Sequence, residues 1–508
     1  MNRSLTTLIS ILALGACNSS DSPSSKTSTN DGTKLIGGCI SNQCGPSNEV
    51  FFSNENYAKL KLTFTKNDLA PYGSTPEQWE DLLWSKWKSQ CGNYEWLPVN
   101  MVYEPGDGSK PWTLNKVGMR MRGSKSRGGN PLGGFKLDYE KLLPPKTDRR
   151  FSDMERLDLL SNENDPSMIL QCLTYELMRD FGLNSPKCNH VQVYVNEKLY
   201  GLMESVEGCK DKRYLERHFT NPDGPLFAVS ASNVVCGFPL SQGDLEYKGD
   251  TFDGEYLKQF EVLRGEPADA ESKLIPMLKC GDEKATPNDE DFKACIKDWI
   301  DVEEWLKLIA AESLTPTVED FVGARRNFFL YAEPSEFAGS NGRIHIWGWD
   351  YDTALNRQQC YPGPVVAGGP TCSDPFKIVT SWFGPRGTRP KLVTRLTRVF
   401  KDQYCGVMKK FLDDVYLPEK VTRMASVIEP AILADPTVNK QGWNWQGSVD
   451  EMHDFMAKHR AEMLDAIGTA CPGSSNTGGA AGAAGAAGAG VAEAGSSGAV
   501  AGAGGAAN

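Results

Sequence analysis

Three stretches of this chain carry side chains that could together bind phosphate groups and divalent cations. Two cations border a glycine-rich stretch over 123–134, a carboxylate precedes an amide by seven residues, and two carboxylates lie at the end of a predicted strand. These residues are Arg122 and Lys136, Asp320 and Asn327, and Asp350 and Asp352. Phosphoryl transfer needs hard oxygen ligands for divalent cations and a lysine or arginine against the phosphate oxygens. The sequence therefore predicts a phosphate-and-metal site.

Each stretch taken alone has a simpler interpretation. Lys136 is typical of a surface strand lysine, and the segment 123–134 is typical of a flexible loop, since it matches neither G-x-x-x-x-G-K-[ST] nor G-x-G-x-x-G. Asp350 and Asp352 also fit a solvated turn or a calcium site. Calcium-dependent carbohydrate chemistry is a further hypothesis for that pair, but glycosidases need two facing carboxylates, whose separation a sequence does not give.

The elements that must position these side chains are mainly strands in the first half of the chain and helices in the second. Alternating apolar and polar residues predict strands, and a 3.6-residue apolar period predicts helices. The predicted strands are 58–64, 117–121, 135–139, 327–331, 343–349 and the hairpin 191–195 with 199–206. The predicted helices are one opened by a capping box at Thr75, then 166–181, 302–313, 421–433 and 449–467. This order predicts an α+β fold with a strand-rich and a helix-rich lobe.

The N-terminus predicts export. A basic Arg3 and an apolar run over 8–14 precede Leu14-Gly15-Ala16-Cys17, which is similar to the lipobox of bacterial lipoproteins. The run is much shorter than the roughly 20 residues that a membrane-spanning helix needs. We therefore expect a lipid-anchored protein of the cell envelope, at the outer membrane or cell surface, whose membrane contact is an acylated Cys17.

The predicted segments are a signal peptide over 1–16, a flexible tether over 17–48, one large domain over 49–472 and a disordered Gly/Ala-rich tail over 473–508.

Cysteine usage and charge narrow the function further. The 14 cysteines are dispersed without a C-x-x-C pair, so in an exported chain they predict four to six disulfides. Without Cys17 thirteen remain, which leaves at least one thiol unpaired or paired elsewhere. The net charge of −11 and the lack of a basic cluster with interleaved aromatics argue against a nucleic-acid partner. The five histidines form no H-E-x-x-H metal motif.

Taken in order, the motifs of residues 55 to 400 resemble those of the CotH kinase family. The segments 117–123 and 134–137 are similar to the family's strand, "RG" loop and lysine strand. The segment 157–167 is similar to its next signature, and 196–207 is similar to its "NGxYxGxYxLxE" hairpin. Asp320 with 327–331 and 349–352 is similar to its C-terminal core.

The resemblance implies an atypical protein-kinase-like fold that binds ATP and Mg²⁺, or Mn²⁺, and phosphorylates hydroxyl side chains of secreted or surface proteins. Lys136, beside Arg122, would then contact the phosphates, and Asp320 would deprotonate the acceptor hydroxyl. The metal ligands would be Asn327 and Asp350, with or without Asp352. From its place on the helix after the lysine strand, we also expect Glu176 to pair with Lys136.

Two departures from the family pattern keep a second hypothesis open. The loop that often reads "RGNSS" is Arg122-Gly123-Ser124-Lys125-Ser126-Arg127 here, and the usual "PWD" is Gly348-Trp349-Asp350. Neither change removes a proposed ligand. The leading hypothesis is an exported kinase, and the alternative is a non-catalytic surface module, a pseudokinase or adhesin-like scaffold, on the same fold.

Overall fold

The structure is a computed structural model. It describes residues 45–472 except 90–94, 123–132, 145–146, 163–164, 230–241, 318–319, 336–340, 356–388, 436–437 and 439–441. The predicted signal peptide, Cys17, nearly all of the tether, most of the glycine-rich stretch and the Gly/Ala-rich tail lie outside the described residues. The predictions made for them therefore stay predictions.

The first half of the described chain forms a closed β-barrel. Its strands are β1 Ala58–Thr63, β2 Leu97–Glu104, β3 Trp112–Met121, β4 Phe135–Asp138, β5 Arg156–Leu160, β6 Cys188–Val195 and β7 Lys198–Glu207. They follow the order β1-β2-β3-β4-β5-β7-β6, and β6 closes the barrel by pairing in parallel with β1. The other neighbours pair antiparallel. The strands and the hairpin predicted from alternation in this half are confirmed.

A second sheet, of four strands, follows the barrel. Its strands are β8 Leu226–Val229, β9 Phe260–Arg264, β10 Phe328–Glu333 and β11 Arg343–Gly348, in the order β11-β10-β8-β9. The predicted strands at 327–331 and 343–349 correspond to β10 and β11. Because β10 and β11 are antiparallel neighbours, the start of β10 lies beside the end of β11, and Phe328 pairs with Gly348. The segments that carry Asn327 and Asp350 therefore meet at one edge of this sheet.

Helices occur along the whole of the described chain and make up most of its second half. In chain order they are α1 Asn48–Phe51, α2 Lys66–Leu69, α3 Trp79–Ser89, α4 Leu170–Asp180, α5 Lys212–His218, α6 Gly254–Leu257, α7 Pro267–Asp269, α8 Ile275–Gly281, α9 Asp289–Lys297, α10 Val302–Leu314, α11 Phe321–Ala324, α12 Lys391–Val399, α13 Lys401–Lys410, α14 Glu419–Ala434 and α15 Trp445–Ala470. Short 3₁₀ turns over Ala70–Tyr72 and Pro76–Gln78 and π-helical turns over Ala270–Leu274 and Phe411–Val415 complete the set.

Local capping fixes two of the predicted helix starts. The capping box between Thr75 and Gln78 is present and leads into α3. Helix α4 begins at Leu170, four residues later than predicted, because the carboxylate of Asp165 accepts hydrogen bonds from the amides of Ser167 and Leu170, at 2.8 and 2.7 Å. These hydrogen bonds hold residues 165–169 in a turn ahead of the helix.

The apolar side chains form two main cores. One fills the barrel and contains inward residues of its strands, such as Leu62, Met119 and Leu137. The larger core packs α4, α8, α10 and α12–α15 against part of the second sheet. The α+β prediction, strand-rich at first and helix-rich later, is therefore confirmed. None of the helices in the described part of the chain has both the length and the apolar character that a bilayer crossing requires.

Three disulfides confirm the prediction of oxidised cysteines for the part of the chain that is described. Cys172 joins α4 to β6 through Cys188, Cys280 joins α8 to α9 through Cys295, and Cys405 on α13 joins Cys471 at the end of α15. Cys209 is buried with a free thiol. Covalent links between helices restrict the unfolded chain and thereby stabilise the helical core.

We expect loss of the Cys405–Cys471 bond to lower the free energy of unfolding by about 2–4 kcal/mol, because it closes a loop with a sequence separation of 66. The double variant Cys280→Ala/Cys295→Ala removes a loop with a separation of 15 and should cost roughly 1 kcal/mol less. Urea denaturation of Cys405→Ala/Cys471→Ala and of the control under oxidising conditions measures both. A larger loss for the short loop would contradict the loop-length argument.

Candidate functional site

The centre of the candidate site is a carboxylate that binds two cations on the barrel surface. Register pairing places Lys136 of β4 opposite Asp158 of β5, and Lys136 Nζ lies 2.9 Å from Asp158 Oδ2. Arg122, directly after β3, places its Nε 3.2 Å from the same oxygen. All three side chains are at most 19% exposed. Because alternate residues of these strands fill the barrel, the charged set lies on the opposite face of the sheet.

The charges in this cluster offset the effect of burial fully at Asp158 but only in part at Lys136. Burial raises the pKa of Asp158, but Lys136 and Arg122 outweigh that effect and leave the pKa below its ordinary value. Burial lowers the pKa of Lys136, and Asp158 restores only part of the loss. Lys136 is therefore a desolvated cation with one close carboxylate partner, a state in which a further anion such as a phosphate would be stabilised.

Arg122 connects the barrel to the second sheet. Its guanidinium contacts Asp158 on one side and lies 3.5 Å from Asp350 Oδ1 on the other. Burial lowers the pKa of Arg122, but neighbouring negative charges outweigh that effect and leave the pKa above its ordinary value. The larger of these contributions come from Asp158 and Asp350, and Asp352 adds a smaller one. The structure thus brings four of the predicted residues together, Arg122, Lys136, Asp350 and Asp352.

The backbone at the edge of the second sheet is held in an uncommon conformation. Asn327 and Asp350 have φ values of 50° and 63°, in the left-handed region that non-glycine residues rarely adopt. The amide of Trp349 donates to the carbonyl of Asn327 at 2.9 Å, and the amide of Asp350 donates to the Tyr175 hydroxyl at 3.0 Å. Strained backbone of this kind concentrates at functional sites, where surrounding contacts fix it.

Asp320 lies next to this edge as the N-cap of α11. Its Oδ1 accepts hydrogen bonds from the amides of Gly323 and Ala324, at 2.6 and 3.2 Å. The side chain is buried, and burial raises the pKa of Asp320 above its ordinary value although these amides and Arg389 lower it. Burial, followed by the charge of Asp320, also raises the pKa of the neighbouring Glu312. A carboxylate with a raised pKa can take up a proton near neutral pH.

The prediction that Glu176 pairs with Lys136 is wrong. Glu176, on α4, contacts Arg423 of α14 and lies 3.7 Å from Lys420 Nζ. Its face of α4 packs toward α14, whereas the partner of Lys136 is the cross-strand neighbour Asp158. Neither Asp158 nor Tyr175 was among the predicted site residues. A lone acidic residue between Leu157 and Leu159 of a strand was the available signal for Asp158.

A second group of polar side chains does not form a metal site. The ligand atoms of Cys172, His190 and Glu204 lie within 4.8 Å of one another. However, the sulfur of Cys172 is bonded to Cys188, so no thiolate is available. His190 Nε2 also lies 2.7 Å from the carbonyl of Met168, which occupies that nitrogen.

Comparison with known proteins identifies the class to which this fold and site belong. The chain matches the family model for the CotH kinase protein over residues 119–463, and it belongs to that family. The match includes the lysine strand, the Asp158 strand and both strands of the Asn327–Asp350 edge. A relative is the inner spore coat protein H of Bacillus subtilis (strain 168). It is 22% identical over 360 residues, which cover 66% of this chain and 84% of the relative.

The assignment of Asp158 as the partner of Lys136 predicts a specific loss of stability. Asp158→Asn should lower the free energy of unfolding by about 3 kcal/mol, because it leaves the buried Lys136 without its carboxylate and Arg122 with Asp350 alone. Glu176→Gln is the matched control and should cost less than about 1 kcal/mol, since the side chain of its partner Arg423 is 47% exposed. Chemical denaturation of both variants tests this, and a larger loss for Glu176→Gln would contradict the importance of the Asp158 ion pairs.

Proposed function

We propose that this protein is an exported atypical protein kinase that transfers the γ-phosphoryl group of ATP to Ser or Thr hydroxyls of extracytoplasmic proteins. The single observation that carries the proposal is the position of Arg122, which contacts Asp158 beside Lys136 on one side and Asp350 on the other. Cations suited to phosphate thus adjoin carboxylates suited to metal ions. Membership of the CotH kinase protein family supports the same conclusion.

The proposed roles follow from the chemistry of each group. Lys136 and Arg122 would bind the phosphates, while Asp350, Asp352 and Asn327 would hold Mg²⁺ or Mn²⁺ through oxygen ligands. The metal would neutralise charge on the β- and γ-phosphate oxygens.

Two buried polar atoms support this fit to a polar ligand. Within the described residues, Asp158 Oδ1 and Asn327 Nδ2 have no hydrogen-bond partner. Such atoms also occur elsewhere in the described chain, but these two lie within the candidate site, where a water, an ion or a ligand could satisfy them. An amide donor and a carboxylate oxygen of this kind suit a ligand that carries both phosphate oxygens and metal ions.

Asp320 is the residue proposed to accept the proton of the acceptor hydroxyl. The hydroxyl oxygen would form a bond to the γ-phosphorus as the bond from that phosphorus to the β–γ bridging oxygen breaks, and ADP would leave with the electron pair. Burial raises the pKa of Asp320, which suits a base that must hold this proton. Its Oδ1 accepts from two amides, so the orientation of the carboxylate is fixed before the acceptor binds.

The proposed setting is the cell envelope. The N-terminal signal predicts export with Cys17 as the lipid anchor, and the three disulfides support an oxidising compartment. The partners would be secreted or surface proteins, with the membrane reached through Cys17 only. Such a kinase requires a source of ATP outside the cytoplasm.

One observation favours a second candidate, a non-catalytic binding module. Arg122 already neutralises Asp350, the main proposed metal ligand, at 3.5 Å. A protein that keeps this ion pair permanently would bind a partner through the same fold without transferring phosphate.

Phosphate transfer from labelled ATP with Mg²⁺ to the protein itself and to cell-surface extracts separates the two candidates. We expect Asp320→Asn to lower incorporation by about 10²–10⁴-fold, because it removes the base. Asp350→Asn should abolish metal-dependent transfer, and Lys136→Met should raise the KM for ATP. Glu176→Gln is the control and should stay within about twofold, because Glu176 pairs with α14. Absence of both incorporation and nucleotide binding in the unmutated protein would contradict the kinase proposal.

A further inference from the structure

A buried carboxylate, Glu312, connects the two segments that carry the proposed base and the proposed metal ligands. Glu312 lies on α10, is 1% exposed, and belongs to none of the motifs that suggested the site. Its Oε1 accepts a hydrogen bond from the Tyr351 hydroxyl at 2.8 Å, and its Oε2 accepts one from the amide of Val322 at 3.0 Å. Tyr351 lies between Asp350 and Asp352, and Val322 lies in the helix that Asp320 caps.

The contact at Tyr351 continues to the other side of Asp350. The ring of Tyr351 packs edge-on against the ring of Tyr175, with centroids 5.5 Å apart. The Tyr175 hydroxyl accepts from the amide of Asp350. The left-handed turn that carries Asp350 is therefore held from both sides by buried groups, by Glu312 through Tyr351 and by Tyr175 directly.

A glycine makes room for this arrangement. A Cβ atom at Gly348 would lie 1.9 Å from the Tyr351 hydroxyl oxygen and 2.7 Å from Glu312 Oε1. Contacts this short do not occur, so any larger residue at 348 would displace the hydroxyl or the carboxylate. The position that holds proline in the usual "PWD" sequence is therefore restricted to glycine here by the hydrogen bond beside it.

The burial of Glu312 next to Asp320 is unfavourable by itself. Burial disfavours the charged form of a carboxyl group, and the neighbouring charge of Asp320 adds to that effect at Glu312. An apolar residue would pack at position 312 without this cost. The carboxylate contributes something an apolar side chain lacks, namely hydrogen bonds to both segments at once.

We infer that Glu312 and Tyr351 form a clamp that fixes the position of Asp350 relative to Asp320. Gly348 leaves the space that the clamp occupies. Glu312 and Tyr351 are positioning residues, since neither is proposed to touch ATP or the reacting hydroxyl. The role in catalysis rests on the proposed function, whereas the clamp itself is a property of the fold. A misplacement of about 1 Å between catalytic groups can cost roughly 10²-fold in rate.

Kinetics of Tyr351→Phe in the full-length protein test the positioning role. The variant keeps the ring and loses only the hydroxyl, so we expect kcat to fall about 10- to 100-fold while the KM for ATP changes less than about threefold. Tyr256→Phe is the matched control. It also removes a buried hydroxyl with two hydrogen bonds, to Lys248 and Gly249, and should leave kcat within about twofold. Full kcat in Tyr351→Phe would overturn the inference.

Thermal unfolding tests the clamp without any activity. Gly348→Ala should lower the Tm of the otherwise unmutated protein. When Gly348→Ala is added to the Tyr351→Phe variant, the decrease in Tm should be roughly half as large or less. The Tyr351 hydroxyl oxygen, which would lie 1.9 Å from the new Cβ atom, is absent from that variant. If the two substitutions lower the Tm additively, the clamp is overturned. If the unmutated protein transfers no phosphate, the proposed function fails, and this double-mutant comparison alone decides whether the clamp exists.

Discussion

The ion pairs of Asp158 are the interaction on which the rest of the site depends. This one carboxylate oxygen binds both Lys136 and Arg122, and Arg122 extends the contact to Asp350. Cations at this depth are costly unless they are paired, so the barrel strands and the second sheet must be in place together for the charges to be balanced. The strand order β3-β4-β5 supplies the pairing, because it places residues 120, 136 and 158 side by side. The pairing of β3, β4 and β5 is thus what assembles the cation cluster.

The candidate site departs from the usual preferences of backbone and side chains at several positions, as some other parts of the fold also do. Asn327 and Asp350 adopt left-handed backbone, and Glu312 lies buried beside Asp320. Each departure has a compensating contact, such as the amide bond between Trp349 and Asn327 or the Tyr351 hydroxyl on Glu312. Natural proteins tolerate such local conflicts mainly where function requires them. Several of these positions lie together at the edge of the second sheet that carries the proposed site.

Sequence reasoning predicted most of the elements and the main residues of the site, and the exceptions have a common cause. Alternation over 135–139 and the helical period over 302–313 are local signals, and both elements formed where they were predicted. The ordered motifs also indicated Arg122, Lys136 and Asp350, which the fold brings together. The partner of Lys136 was assigned wrongly because it depends on which strands are neighbours and on which face of α4 points to α14. Such pairings are set by tertiary packing, and no local pattern encodes them.

The ion pair between Arg122 and Asp350 would behave differently in the two candidate functions. For a binding module it is a permanent structural ion pair. For a kinase it must give way, since the phosphates need Arg122 and the metal needs Asp350. Nucleotide alone would leave Asp350 without its cation, and metal alone would leave Arg122 with only Asp158, so either step by itself unbalances a buried charge. When nucleotide and metal bind together, Arg122 exchanges the Asp350 carboxylate for phosphate, and Asp350 exchanges the arginine for a metal cation. Each group thus keeps a partner of opposite charge. The ion pair is therefore compatible with catalysis when nucleotide and metal bind as one complex.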